Sequence, residues 1–226
     1  MTYEEDKSKY KIEYIGEKFT KDLTSYKVIV IGRYGVGKTT IIHKLMSKDN
    51  IDQEYTPTMS IDIKNFQVKV NNEIKQINIW DCCGNDKYTQ NIPNLYKNVS
   101  IAIIVYAIND KKSYEVLETW YDILKEHSYG SIIFLIGNKN DLDKEREITI
   151  QDAETFKNNY DDIKIFFETS ALNGENMDKL LENIAISIYE KDKKLENEEY
   201  KAIRKTITLV KEDFTKKREK KKKKCC

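Results

Sequence analysis

The tightest constraint on the fold is one run, Gly32-Arg33-Tyr34-Gly35-Val36-Gly37-Lys38-Thr39, set between an apolar stretch and an amphipathic one. It fits G-x-x-x-x-G-K-[ST]. In that pattern glycine adopts φ > 0, so that main-chain N–H groups turn inward on an anion. A lysine adds a point charge and a hydroxyl ligates a divalent cation. The preceding residues 26–31 read as a buried parallel strand. The following residues 39–46 read as the start of a helix whose N-terminal dipole favours negative charge. A chain built on such a unit is directed to an α/β architecture and to a phosphate-bearing ligand.

The 226 residues suit one domain with tails. Charge is unevenly spread. Residues 216–226 hold eight Lys or Arg against one acid, whereas the whole chain has 39 basic and 38 acidic residues, so everything before that end is net acidic. The four cysteines stand as two adjacent pairs, Cys82-Cys83 and Cys225-Cys226. Neighbouring thiols neither staple a fold nor match metal-ligand spacing, which points to a reducing compartment. The charged start, MTYEEDKSKYK, has no signal-peptide character, and no run of about eighteen apolar residues follows.

Residues 1–24 are charged with few apolar positions and read as a flexible or loosely helical extension. Strands are expected at 26–31, 60–70, 74–81, 101–108, 132–137 and 164–168. Helical faces are expected at Val116, Leu117, Trp120, Tyr121 and Leu124, and again at Met177, Leu180, Leu181, Ile184, Ala185 and Ile188. Strand–helix alternation argues for a mostly parallel sheet covered on both faces. The short link Asn71-Asn72-Glu73 predicts an antiparallel hairpin at one edge. Beyond about residue 190 the pattern dissolves into a frayed, then polybasic, tail.

A phosphate loop alone does not separate ATPases, kinases and GTPases. Three further motifs do. Trp80-Asp81-Cys82-Cys83-Gly84 carries D-x-x-G at the end of the second hairpin strand, Asn138-Lys139-Asn140-Asp141 follows an apolar strand, and Glu168-Thr169-Ser170-Ala171 closes the last one. A carboxylate such as Asp141 can accept two hydrogen bonds from N1–H and the exocyclic amine of guanine, whereas adenine presents the opposite pattern. This disfavours an ATP-dependent kinase.

Four motifs in this order resemble the Ras superfamily of small GTPases, and more closely its Rab branch. The Rab-like features are YTPTMSID at 55–62, VYAINDKKSYEVLETW, ETSALNGENMDKLL at 168–181, and the terminal Cys225-Cys226. The resemblance covers residues 25–190 and the terminus. It implies a P-loop GTPase fold with a six-stranded, mostly parallel sheet, one antiparallel edge strand and five helices. It also implies GTP or GDP with Mg2+ as ligands, and GTP hydrolysis as the activity. Carried over, Gly35, Val36, Gly37, Lys38, Thr39 and Thr40 cradle the phosphates. Thr39, Thr58 and Asp81 serve magnesium, and Gly84 senses the γ-phosphate. Asn138, Lys139, Asp141, Ser170, Ala171 and Leu172 surround the base. Lys38, Thr58, Gly84 and Asn85 form the catalytic set. Two loops near 50–63 and 82–96 are then ordered by the γ-phosphate and released on hydrolysis.

The chain departs from that pattern at informative places. A glutamine orients the attacking water in the Ras template, and Asn85 stands there instead. Its side chain falls about an ångström short, a misplacement that can cost on the order of 10²-fold. Tyr34 replaces a small residue facing the γ-phosphate and the path of an activating arginine. Its ring either blocks both or swings to solvent. Slow intrinsic hydrolysis is the expectation. Ile51 falls where an aromatic often covers the guanine. Ser60, Ile63 and Leu95 stand for glycine, phenylalanine and tyrosine beside the retained Trp80, so the effector-facing patch is expected to be apolar but less aromatic.

The terminal Cys225-Cys226 resembles the doubly geranylgeranylated end of Rab proteins. Two lipids, or one lipid with polybasic charge, anchor stably where one lipid does not. The resemblance therefore implies a regulator of vesicle trafficking on the cytoplasmic face of intracellular membranes, with a cytosolic pool. Its partners would be effectors, an exchange factor, a GTPase-activating protein, and prenylation escort and dissociation-inhibitor proteins. Nucleic acid is not expected, since no aromatics interleave with the lysines. His43 and His127 lack partner clusters and read as structural. Two functional readings stay open, a cycling switch and a GTP-bound scaffold that does not cycle.

Overall fold

The computed structural model describes residues 9–47, 61–82 and 93–198. In chain order the elements are β1 (Ile12–Gly16), β2 (Ser25–Ile31), α1 (Lys38–Met46), β3 (Asp62–Val70), β4 (Glu73–Asp81) and β5 (Val99–Ala107). Then come α2 (Lys111–Glu115), α3 (Leu117–His127), β6 (Ile132–Asn138), α4 (Ile150–Asn158) and β7 (Ile163–Glu168). A helix over residues 177–198, α5, closes the described chain, and short 3-10 segments lie at Pro93–Leu95 and Asn140–Glu145. The chain divides into two units, residues 1–188 and 189–226; of the second, the described residues 189–198 are helical.

The strands form one sheet in the order β1-β3-β4-β2-β5-β6-β7. The pairs β4–β2, β2–β5, β5–β6 and β6–β7 are parallel. β5, VSIAIIVYA, is apolar almost throughout because both of its faces are covered, and Ile101 through Ala107 have no exposed surface. The expected helical faces are buried at Leu117, Trp120, Tyr121 and Leu124, and at Met177, Leu180, Ile184, Ala185 and Ile188; Leu181 is partly buried. Each fully buried large apolar side chain contributes about 1.5–3 kcal/mol.

The expected hairpin is present. β3 pairs antiparallel with β4 from Asp62↔Asp81 to Val70↔Glu73, and Asn71 turns the chain at φ 56°. Asparagine tolerates that left-handed conformation better than most residues. α2 and α4 begin in the ordinary way. Asp110 accepts from the Ser113 amide, and Thr149 and Asp152 form a capping box.

The strand count corrects the sequence expectation of six. The seventh, β1, comes from the residues expected to form a flexible extension, and it adds a second antiparallel pair, Ile12↔Val70 and Tyr14↔Val68. The physical reason is a short period-2 pattern, in which Ile12 and Tyr14 flank charged Glu13, with Tyr14 packed on Phe66 at 5.8 Å between ring centroids. Residues 20–25 then seal the hairpin's buried amides. The Thr20 amide donates to Gln76 Oε1 at 2.6 Å, Gln67 Nε2 to Thr20 Oγ1 at 2.9 Å, and Gln76 Nε2 to Ser25 Oγ at 2.6 Å. Both glutamines are buried.

Candidate functional site

Parallel pairing sends the carboxyl ends of β2, β4, β6 and β7 to one edge of the sheet. There they deliver the 32–37 loop, Asp81, Asn138–Asp141 and Glu168–Ala171. β2 lies between β4 and β5, where the strand order reverses, which is where open α/β sheets form a binding crevice.

The loop after β2 is shaped by backbone conformation. Gly32, Gly35 and Gly37 have φ of 139°, 80° and 96°. A Cβ on Gly32 would lie 2.1 Å from the Val105 carbonyl oxygen, and one on Gly37 would lie 2.4 Å from Asn138 Nδ2. Lys38 is buried, and its ammonium donates to the Gly32 carbonyl at 2.9 Å and the Arg33 carbonyl at 3.1 Å, which holds the charge inside the loop. Arg33 is tied outward to Asp110 at 3.0 Å. In contrast to α2 and α4, whose starts are capped by side chains, α1 starts from glycine in a left-handed conformation with no side-chain cap, and no acid stands in its first turn. Its leading amides and dipole suit an anion. Tyr34, at the tip of the loop, is 51% exposed.

Thr39 and Asp81 meet across the loop, with the hydroxyl donating to Asp81 Oδ2 at 2.6 Å. Burial raises the Asp81 carboxyl above the ordinary range, and the Thr39 hydrogen bond and the Lys38 charge work against it. A hydroxyl and a buried carboxylate are hard oxygen ligands, the donor set that magnesium accepts alongside phosphates and water. Thr40 is partly buried in the first turn of α1. Thr58, Gly84 and Asn85 lie outside the described residues.

At the other side, two loops interlock through side chains. Asn138 Nδ2 donates to the Val36 carbonyl at 2.8 Å, and Asn138 Oδ1 accepts from Thr169 Oγ1 and the Ala171 amide, each at 3.2 Å. One buried amide thus spans the phosphate loop and the turn after β7. Lys139, at φ 68°, reverses the chain so that Asp141 faces Ser170, whose hydroxyl donates to it. The Asn173 amide fixes the Ser170 oxygen from behind at 3.2 Å. Leu172 is 67% exposed.

Arg146 was missed by sequence reasoning, since it sits in a charged run, DKERE, with nothing to mark it. Its guanidinium makes a two-pronged pair with Glu168 at 2.6 and 2.8 Å and also reaches Asp143, Asn140 and the Ile148 carbonyl. These contacts hold the guanidinium's proton more firmly than usual.

On the hairpin, Ile63 pairs with Trp80 across β3 and β4 and is exposed, and Lys27 Nζ sits 3.9 Å above the Trp80 ring. Leu95 is buried in the core instead of lining that patch, because it packs in one cluster with Ile29, Ile31 and Tyr96. Cys82 is buried, with its thiol directed at the Trp80 carbonyl at 3.7 Å. Ile51, Ser60, Cys83, Cys225 and Cys226 lie outside the described residues. Among the described residues no helix is long and apolar enough to cross a membrane.

The sequence model of the Ras family matches residues 27–190. The mouse and human proteins named Ras-related protein Rab-31 are each 33% identical to this chain over 163 residues, covering 72% of it and 82% of each relative. The family match begins after β1 and ends within α5.

Proposed function

The chain belongs to the Ras family, as a Rab-like small GTPase, and from that premise we propose that it is a guanine-nucleotide switch. It binds GTP or GDP with Mg2+ and regulates vesicle traffic from a lipid-anchored position on intracellular membranes. GTP hydrolysis is the general activity of such proteins. The observation that carries the guanine reading is the buried Asn138 amide, bonded at once to Val36 in the phosphate loop and Ala171 behind the base, with Asp141 braced by Ser170.

Asp141 accepts from N1–H and the exocyclic amine of guanine, while the Ala171 amide, whose one proton goes to Asn138 Oδ1, braces the turn after β7 against the Asn138–Asp141 loop. Lys38, fixed by two carbonyls, presents its charge to the phosphates from inside the loop. Thr39 gives its proton to Asp81, which turns hydroxyl lone pairs toward a cation. A bound magnesium ion would neutralise charge on the β- and γ-phosphate oxygens. Thr58 and Gly84 would read the γ-phosphate, and Asn85 would orient the water.

Hydrolysis is slow in this proposal, because Asn85 is one methylene shorter than glutamine and Tyr34 stands on the loop at the γ-phosphate side. Single-turnover hydrolysis of loaded GTP tests it, with a rate well below that of an ordinary Rab expected and an equal rate contradicting it. Nucleotide extracted from the purified protein separates a cycling switch, which holds mostly GDP, from a persistent scaffold, which holds mostly GTP. The anchor rests on Cys225 and Cys226 beside the lysine run; changing both to serine should leave the protein cytosolic, and retained membrane association would refute it. Effectors, an exchange factor, an activating protein, and escort and dissociation-inhibitor proteins are the partners this reading implies.

A further inference from the structure

We propose that Arg146 is a positioning residue for base selection, holding the Asn138–Asp141 loop and the Glu168–Ala171 loop at the separation that guanine requires. The inference rests on the guanine reading of the site. Its geometric basis is a guanidinium whose N–H groups all face acceptors. Nη1 and Nη2 grip the two Glu168 carboxylate oxygens at 2.6 and 2.8 Å. The same nitrogens reach the Ile148 carbonyl at 3.0 Å and Asn140 Oδ1 at 3.4 Å, and Nε reaches Asp143 at 2.7 Å.

Both ends of this clamp run straight into base-facing groups. Glu168 is the last residue of β7, two positions before Ser170, and its carboxylate is buried. Asn140 is the neighbour of Asp141, and its amide donates to the Thr169 carbonyl at 3.0 Å while Thr169 Oγ1 donates to Asn138. A shift of Arg146 therefore moves the Asp141 loop relative to the turn that carries Ser170 and Ala171. A planar fork fixes distance and angle together, whereas an ammonium fixes only charge. An ordinary stabilising ion pair would be indifferent to which base is bound. A clamp that sets the Asp141 position is not, because the exocyclic amine of guanine counts only when Asp141 is in register with it.

The test compares dissociation of GDP and of inosine diphosphate, which lacks that amine, from the full-length protein. Arg146→Lys should release GDP roughly tenfold faster and narrow the ratio between the two nucleotides by roughly fivefold or more, since a loosened Asp141 no longer rewards the amine. Lys125→Gln, which removes the Lys125–Asp162 pair on α3, should leave the ratio unchanged. If Arg146→Lys loses its cooperative melt, Glu168→Gln keeps the shape of the pair while removing half the fork, and it should narrow the ratio in the same direction. Equal acceleration of both nucleotides, with the ratio intact, would overturn the positioning role. A wild-type protein that does not prefer GDP over inosine diphosphate would overturn the guanine reading itself, a failure separable from that of the clamp.

Discussion

The two ends of the crevice are built from different materials. Among the described residues, the phosphate-loop end is made by backbone, with three glycines at positive φ, and by the side chains of Lys38, Thr39 and Asp81. The base end is made largely by side chains, Asn138 with Thr169 and the Ala171 backbone amide, Asp141 with Ser170, and Arg146 with Glu168. A backbone-built site tolerates almost no added atom but is indifferent to what stands opposite. A side-chain-built site accommodates a substitution by shifting its loops, and so changes what it prefers. Gly37 joins the two, because its missing Cβ is the space that Asn138 Nδ2 occupies.

The largest effect separating the ends is expected at Gly32→Ala. The new Cβ would meet the Val105 carbonyl at 2.1 Å at a φ of 139°, both unfavourable. A stability loss of about 3–5 kcal/mol follows, a fall in Tm of about 10 °C, measured by thermal melting. A loss under about 1 kcal/mol would mean that the loop is softer than its geometry implies.

Asn138→Ala removes three hydrogen bonds and leaves buried partners unmatched at both ends. Nucleotide release should accelerate on the order of 10²-fold, about 3 kcal/mol, with a smaller change in Tm than at Gly32. A variant that released nucleotide at the parent rate would break the claim that this amide couples the two halves.

The phosphate end should respond to mild acid. Burial lifts the Asp81 carboxyl above the ordinary range, so its ionised form is costly in the fold. Without metal, its contribution to stability is fully present below the unfolded value and is lost as pH rises through the folded one. Magnesium takes the ionised form, so protons compete with it before ordinary carboxylates titrate, and apparent Mg2+ affinity should fall on mild acidification. Asp81→Asn should lower affinity and abolish that pH dependence; a dependence that persisted in the variant would assign it elsewhere.

The centre of the sheet is readable because β5 and β6 are near-continuous apolar runs; residues 132–137 are expected and Ile132–Asn138 are found. Motif residues were readable because glycine, lysine and asparagine in fixed spacing have few other uses. β1 is not, since two apolar positions among charges give a weak period, and what makes them a strand is the edge of β3, where Ile12 meets Val70 and Tyr14 meets Val68, far along the chain. Leu95 looked surface-facing because a resemblance fixes position and not packing. Arg146 was invisible because its partner Glu168 is twenty-two residues distant and only the fold brings them together.

The central claim is that the base end reads guanine through Asp141, and the most direct measurement is equilibrium binding of GDP and xanthosine diphosphate to the parent and to Asp141→Asn. Xanthine carries a carbonyl where guanine carries its amine, and the asparagine amide can donate to that carbonyl. The account predicts that the parent prefers GDP by about 10² or more and that the variant reverses the preference. A variant that keeps its preference for GDP would contradict it.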